Sequence, residues 1–176
     1  MNFLFKLSRS IDAMNLRIGV CVKWLVLVMA ALSAGNALLR KLFDIGSNAL
    51  LETQWYMFAA VFLLYAGLTL CEQGHVRVDL FYRKYSEKQK CVLDILGALL
   101  CILPLSGLVI YLGFDVFWTA FADGEMSSNS GGLLIWPARL LVPLGFILLA
   151  LQAASEIIKN VAKLKTLLSA APQAKA

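Results

Sequence analysis

Four long apolar runs, separated by short polar segments, set the pattern of this chain. Between Glu52 and Glu72 lie 19 consecutive uncharged residues, which at about 1.5 Å per helical residue nearly match a hydrocarbon core of about 30 Å. Three other runs also carry their charges mainly at their ends. The pattern predicts an all-α membrane protein with one domain of four transmembrane helices, at about residues 20–39, 53–71, 91–119 and 133–158.

The segment before the first apolar run has a helical period of its own. Apolar residues recur there at spacings of three and four, which predicts an N-terminal amphipathic helix at the membrane surface; they are Leu4, Leu7, Ile11, Met14 and Ile18. Lys23 interrupts the first span and is expected to snorkel toward its N-terminal side. A cleaved signal peptide is the alternative, since a basic segment, an apolar stretch and small residues follow in that order.

Basic residues indicate the orientation of the chain. Of the 16 Lys and Arg residues, three lie in 1–17, five in 71–90 and four in 156–176, which makes twelve. Short loops rich in Lys and Arg stay on the cytoplasmic side, so both termini, the 72–90 hairpin and the tail 159–176 are predicted to be cytoplasmic. This topology accounts for the net charge of +5, and no nucleic-acid partner is needed to explain it.

Two local features refine the helices. The segment from Ser86 to Gln89 fits a capping box, which predicts that the third helix begins there in water. Pro104, Ser106 and Gly107 lie near the middle of that helix, where they permit a kink or a close approach by another helix. Polar residues within the spans, Gln152 and Ser155 among them, are expected to form hydrogen bonds between helices.

The four cysteines raise an alternative function, that of a quinone-linked thiol-redox enzyme of the disulfide-forming type. Their positions argue against it: Cys21 and Cys101 lie within spans, Cys71 and Cys91 flank the cytoplasmic hairpin, and no CxxC motif occurs. The single histidine, His75, lies in the hairpin rather than in a span that could ligate haem. We therefore expect no catalytic residue, no cofactor and no metal site.

Several short motifs, each at a defined place on the four spans, carry a family resemblance. They are LETQW at 51–55, GHVRVD at 74–79, WPAR at 136–139, PLGF at 143–146 and LQ at 151–152. In this order the chain resembles the small membrane subunit, often called DctQ-like, of tripartite ATP-independent periplasmic (TRAP) transporters.

The resemblance implies a function. A periplasmic substrate-binding protein would capture an organic acid, and a large membrane subunit would move it inward with sodium. This chain would be a scaffold in the bacterial inner membrane that binds the large subunit, membrane lipids and, for docking, the substrate-binding protein. The candidate partner-interface residues on these motifs and the outer loop are Glu52, Trp55, His75, Arg77, Asp79, Glu125, Trp136, Arg139 and Gln152. A transient assembly factor is a third possibility.

Two polar segments have alternative interpretations. In HVRVD, Val76, Val78 and Leu80 alternate with Arg77 and Asp79, which is typical of an interfacial turn but also permits a lock to the large subunit. The outer loop DGEMSSNSGG, at 123–132, is a connector or a contact for a soluble partner.

Overall fold

The computed structural model describes residues 2–44, 46–72 and 85–170, and most of them are helical. The helices are α1 (Asn2–Phe43), α2 (Asn48–Cys71), α3 (Glu87–Gly97), α4 (Leu103–Ala122) and α5 (Trp136–Ala170), with a π-helical turn, Ala98–Ile102, between α3 and α4. In this part of the chain four stretches are long and apolar enough to cross a membrane: Phe3–Phe43, Asn48–Cys71, Glu87–Ala122 and Trp136–Ser169. The prediction of an all-α fold is confirmed for the described residues, and the four helical stretches are long and apolar enough to be the predicted spans.

Helix α5 is the centre of the bundle. It packs against α1, α2, α3 and α4, while α1 and α2 also pack against each other. The N-terminal part of α1 lies beside the C-terminal part of α5, so both are at one end of the bundle, here called the termini end. The opposite end, where the loop 123–135 covers the beginning of α2, is called the loop end. The assignment of the termini end to the cytoplasm stays a prediction.

Two helices are much longer than a membrane is thick. With 42 residues in α1 and 35 in α5, their lengths are about 63 and 52 Å, against a hydrocarbon core of about 30 Å. Each must tilt or project into water. The N-terminal segment is part of α1 and runs into the first span without a break. Its location at the membrane surface stays a prediction.

The helix ends follow local sequence signals. The Ser86 hydroxyl accepts the Gln89 N–H, and the Gln89 side chain accepts the Ser86 N–H at 2.9 Å, so the predicted capping box of α3 is confirmed. Helix α1 ends where Asp44 takes a left-handed conformation, with φ of 54°. Asp is one of the few residues besides Gly that tolerates this region, and such a residue commonly ends a helix.

The third span contains an irregularity just before Pro104. The N–H of Leu103 donates to the carbonyl of Ala98, five residues earlier. This wider turn accommodates the proline, whose ring would clash with the carbonyl four residues back in a regular helix. No atom of another described helix lies within 4 Å of a Cβ added to Gly107, so the close approach that the sequence permits at this glycine does not occur between the described helices.

Helices α2 and α5 cross in close backbone contact. A Cβ atom placed on Gly145 would lie 2.7 Å from the Leu63 Cβ and 2.8 Å from the Leu63 carbonyl oxygen. Helix α2 is also close to α1, because a Cβ on Gly67 would lie 2.5 Å from the Asn15 side-chain oxygen. Small residues of this kind let helix backbones approach closely in a membrane, where lipid contacts compete with apolar side-chain contacts.

We expect Gly145→Ala to destabilise the purified protein by about 1 to 3 kcal/mol, because the added methyl group forces the α2 backbone away. Gly107→Ala is the matched control, since its Cβ enters open space and alanine favours the helix. Thermal unfolding in detergent measures both. Equal midpoints for the two variants would contradict the tight crossing.

Candidate functional site

The loop end is organised around the carboxylate of Glu52, in the second turn of α2. Its side chain is buried beneath the loop, the residue being only 3% exposed. It accepts hydrogen bonds from the Asn129 side chain at 2.8 Å, from the backbone N–H of Leu133 at 2.6 Å and from the Ser127 hydroxyl. One anionic side chain therefore ties three points of the loop to α2.

The loop also has bonds of its own that place those donors. The N–H of Ser127 donates to the carbonyl of Leu133, and the N–H of Gly132 to the carbonyl of Asn129, both at 2.9 Å. Gly131 has a φ of 70°, a backbone conformation that residues other than glycine rarely adopt. At Gly132 a Cβ would lie 2.6 Å from the Ser127 Cβ. The glycines thus allow the loop to close tightly over Glu52.

An ion pair fixes the far side of the same loop. Arg139, on the first turn of α5, donates to Glu125 through its two terminal guanidinium nitrogens, one of them 2.8 Å from a carboxylate oxygen. The side chains are 30% and 39% exposed, so the pair lies at the surface and its main contribution is a fixed geometry. Below it, the Trp136 ring meets the Phe121 ring edge-on at a centroid distance of 5.5 Å.

Apolar side chains remain exposed on this anchored loop. Met126 is 61% exposed and Leu134 is 42% exposed, and the two residues form a short antiparallel bridge. The Tyr56 hydroxyl donates to the Leu134 carbonyl at 3.0 Å. Nearby on α2, Trp55 is 64% exposed. The loop end therefore presents a defined surface that is partly apolar.

At the termini end, a polar network joins α1 to α5. The Gln152 side chain is fully buried; its oxygen accepts from the Asn15 amide at 2.7 Å and its nitrogen donates to Asp12 at 2.7 Å. The Lys159 ammonium lies 3.1 Å from the Asp12 carboxylate. Most of these groups bind one another where a membrane offers little water, while the Asn15 side-chain oxygen is buried without a hydrogen-bond partner among the described residues.

A second pair of side chains extends this network. The hydroxyls of Ser8 and Ser155 are 2.7 Å apart, and Ser155 also donates to Asp12 at 2.9 Å. The expectation that Gln152 and Ser155 bond between helices is confirmed. Their α1 partners were not predicted, because the apolar stripe of this segment indicated a helix at the membrane surface. Leu4 and Leu7 of that stripe are exposed. The sequence signal for these partners is a stripe of polar and small residues at the same helical spacing: Ser8, Asp12, Asn15 and Gly19.

One cluster near this network has the residue types of a metal site. Ligand atoms of Asp12, Cys71 and Glu156 all lie within 4.8 Å of one another. The Lys159 ammonium forms ion pairs with both carboxylates. Since a bound lysine already supplies the positive charge there, the donor set does not favour a metal ion.

The structure gathers most of the candidate interface residues at the loop end. Glu52 and Gln152 are buried and bind groups of this chain, so they position their neighbours and any contribution to an interface is indirect. Trp55 is exposed, whereas Glu125 and Arg139 are partly exposed. Their contact with a partner stays a prediction. His75, Arg77 and Asp79, and with them the HVRVD segment, lie outside the described residues.

We expect Glu52→Ala to loosen the loop, because the backbone N–H of Leu133 loses its acceptor. Amide hydrogen exchange at Leu133 should then be roughly tenfold faster or more. Asp123→Ala is the control, since Asp123 is an exposed acid at the same end. Unchanged exchange in Glu52→Ala would show that the loop holds its shape without this carboxylate.

Comparison with known families identifies the chain. A family model described as Tripartite ATP-independent periplasmic transporters, DctQ component, matches residues 29–163. That range includes the loop end and the α5 half of the polar network. The comparisons with curated proteins and with solved structures gave no match. Because the matched range covers 135 of the 176 residues, the chain belongs to the DctQ family, the small membrane subunits of TRAP transporters.

Proposed function

We propose that this chain is the scaffold subunit of a sodium-coupled TRAP transporter that takes up an organic acid across a bacterial inner membrane. Family membership supports the coarse assignment: a TRAP system consists of a large membrane subunit, a substrate-binding protein and a DctQ subunit, and it is a transporter rather than an enzyme. In the proposed division of labour, the large subunit binds sodium and substrate. This chain holds that subunit and helps to dock the binding protein.

The observation that best supports a scaffold is the contrast between internal bonding and open faces. Polar side chains at both ends of the bundle bind one another within the chain. By contrast, the most apolar 18-residue stretch of each described span is mostly exposed: at most 28% of such a stretch is buried within the chain. Since apolar faces this wide need lipid or protein beside them, a rigid frame with large partner surfaces accounts for both features.

The loop end supports the docking role. A soluble partner that arrives on that side meets a loop held in one shape by Glu52 and by the Glu125–Arg139 pair. A preformed surface loses little conformational entropy on binding. The exposed Met126 and Leu134 side chains offer apolar contact, which makes them the proposed centre of the docking surface.

The hairpin that contains HVRVD belongs to the opposite side in this proposal. Its basic residues would keep it at the cytoplasmic surface beside anionic lipid headgroups, and Arg77 and Asp79 would contact the large subunit. Charge reversal at either residue is then expected to lower co-purification of the two membrane subunits. Unchanged recovery and uptake would exclude this contact.

The thiol-redox alternative gains no support from the family match. The cysteines are also in different surroundings: Cys21 and Cys101 are exposed on their helices, Cys91 is buried, and Cys71 is half-buried beside Asp12. We therefore expect transport to be independent of thiol chemistry.

The proposal is tested by purifying this chain with the large subunit and reconstituting both, with the binding protein, in liposomes. Uptake of a panel of organic acids should require both membrane subunits and an inward sodium gradient. A variant with all four cysteines replaced by alanine should retain uptake. The scaffold function is excluded if the large subunit neither co-purifies with this chain nor needs it, or if cysteine replacement abolishes a quinone-dependent activity.

We expect Met126→Glu and Leu134→Glu to weaken docking of the binding protein roughly 5- to 30-fold, since each loses apolar contact of about 1 to 2 kcal/mol. Titration of the binding protein in the uptake assay measures this. Leu168→Glu is the matched control, because Leu168 is 55% exposed at the termini end. Equal titration curves for all three variants would place the docking surface elsewhere.

A further inference from the structure

Helix α4 has one packed face and one open face. On the packed face, a Cβ on Gly113 would lie 3.5 Å from Pro143 of α5, and Ala120 is fully buried. Asp115 lies two residues after Gly113, which is about 200° around a helix of 3.6 residues per turn. Its side chain therefore points away from α5, and the residue is exposed.

The depth of Asp115 makes this orientation costly. It lies seven residues before the end of α4 at Ala122, about 10 Å along the axis, and about 4.5 Å deeper than Trp118, a residue type that favours the membrane interface. Aspartate is too short to reach water by snorkelling as Lys and Arg do. Within the described ranges no side chain donates to its carboxylate, and the Thr119 hydroxyl binds only its backbone carbonyl. A carboxylate so placed calls for a partner.

A second polar group lies one turn deeper on the same face. Tyr111 is 77% exposed and lies eleven residues before Ala122, or about 16 Å, which is close to the middle of a hydrocarbon core of about 30 Å. Among the described residues its hydroxyl has no hydrogen-bond partner. Two polar side chains thus face outward from one helix at membrane depth.

These residues also have the spacing of a helix-packing seam. Leu108, Tyr111, Asp115 and Trp118 follow one another at intervals of three, four and three residues, and all four are exposed. This interval pattern is that of side chains that interdigitate with a second, nearly parallel or antiparallel helix. The seam, as we call these four residues, fits a helix better than it fits disordered lipid chains.

We propose that the seam is the surface on which a transmembrane helix of the large subunit packs, with an Arg or Lys of that helix paired to Asp115 and a polar group bonded to Tyr111. The inference rests on the proposed function and specifies the face that the scaffold uses. A second copy of this chain is a poor occupant, because a parallel two-fold contact would bring two Asp115 carboxylates together. A cationic helix satisfies the charge.

The test is co-purification of the large subunit with Asp115→Leu, at matched membrane levels of the small subunit. Leucine suits a lipid-facing position, so it should not harm the chain itself. If Asp115 pairs with a cation, recovery of the large subunit falls roughly tenfold or more, because that cation is left unpaired. Asp123→Leu, which removes an exposed acid beyond the helix end, is the control. It should co-purify with as much large subunit as the wild type does.

A photo-crosslinking residue in place of Tyr111 gives a readout that does not depend on complex stability. It should form an adduct with the large subunit, whereas the same residue in place of Leu27, 60% exposed on α1, should not. Full recovery with Asp115→Leu, or crosslinks from position 111 to lipid or to a second copy alone, would overturn the inference. In that case the proposed function stands if the wild-type subunits co-purify, and it fails if they do not.

Discussion

The hydrogen bonds of Gln152 join α1 to α5, and the arrangement of the bundle depends on polar contacts of this kind. In water, burial of apolar surface would hold four helices together, but lipid tails solvate leucine as well as another helix does. A buried carboxamide has no such alternative. Gln152 binds Asn15 and Asp12 on α1, and Asp12 in turn binds Lys159. Separation of the helices would leave these groups without partners, so the network favours one register.

Polar contacts fix both ends of the bundle, but they join different parts of the chain at each end. At the termini end, side chains of two helices bind each other directly. At the loop end, Glu52 binds mostly loop groups, among them a backbone N–H, and the loop covers the helix ends. Between the ends, Gly145 brings α5 against the backbone of α2. A frame that is fixed at both ends and closely packed in its middle would suit the proposed role of a scaffold.

Much of the fold was predictable because the signals are local. Continuous apolar runs gave four spans, and the Ser86–Gln89 capping box gave the beginning of α3. The π-helical turn was not predictable in the same way. A proline at position 104 is compatible with several local helix geometries, such as a kink or a wider turn, and packing selects one of them. The continuity of α1 from Asn2 to Phe43 was not predicted: the segment before residue 20 was expected to be a surface helix that leads into the span, and a change of hydrophobic pattern does not by itself show whether a helix breaks or continues.

The candidate site was predictable in part. Glu52, Glu125 and Arg139 were found through motifs and loop position, but their bonds join residues up to 81 positions apart in the chain, which no local pattern encodes. Asp12 was not predicted as a contact because it belongs to a polar stripe on the same helix as the apolar stripe. Both stripes have the helical period, so the period alone does not show which of them faces the bundle. The HVRVD contact remains a prediction, as do the orientation of the bundle and the substrate.

Thermal unfolding of purified Gln152→Leu tests most directly the claim that polar contacts hold the bundle. Leucine is apolar and forms none of the hydrogen bonds of glutamine, so the free energy of unfolding of the variant should fall by about 1 to 3 kcal/mol. The variant should therefore unfold at a clearly lower temperature than the wild type. Gln54→Leu is the comparison, because the Gln54 side chain accepts only from Ser33 among the described residues. If Gln152→Leu unfolds at the temperature of Gln54→Leu or above it, apolar packing alone holds the helices and the account is wrong.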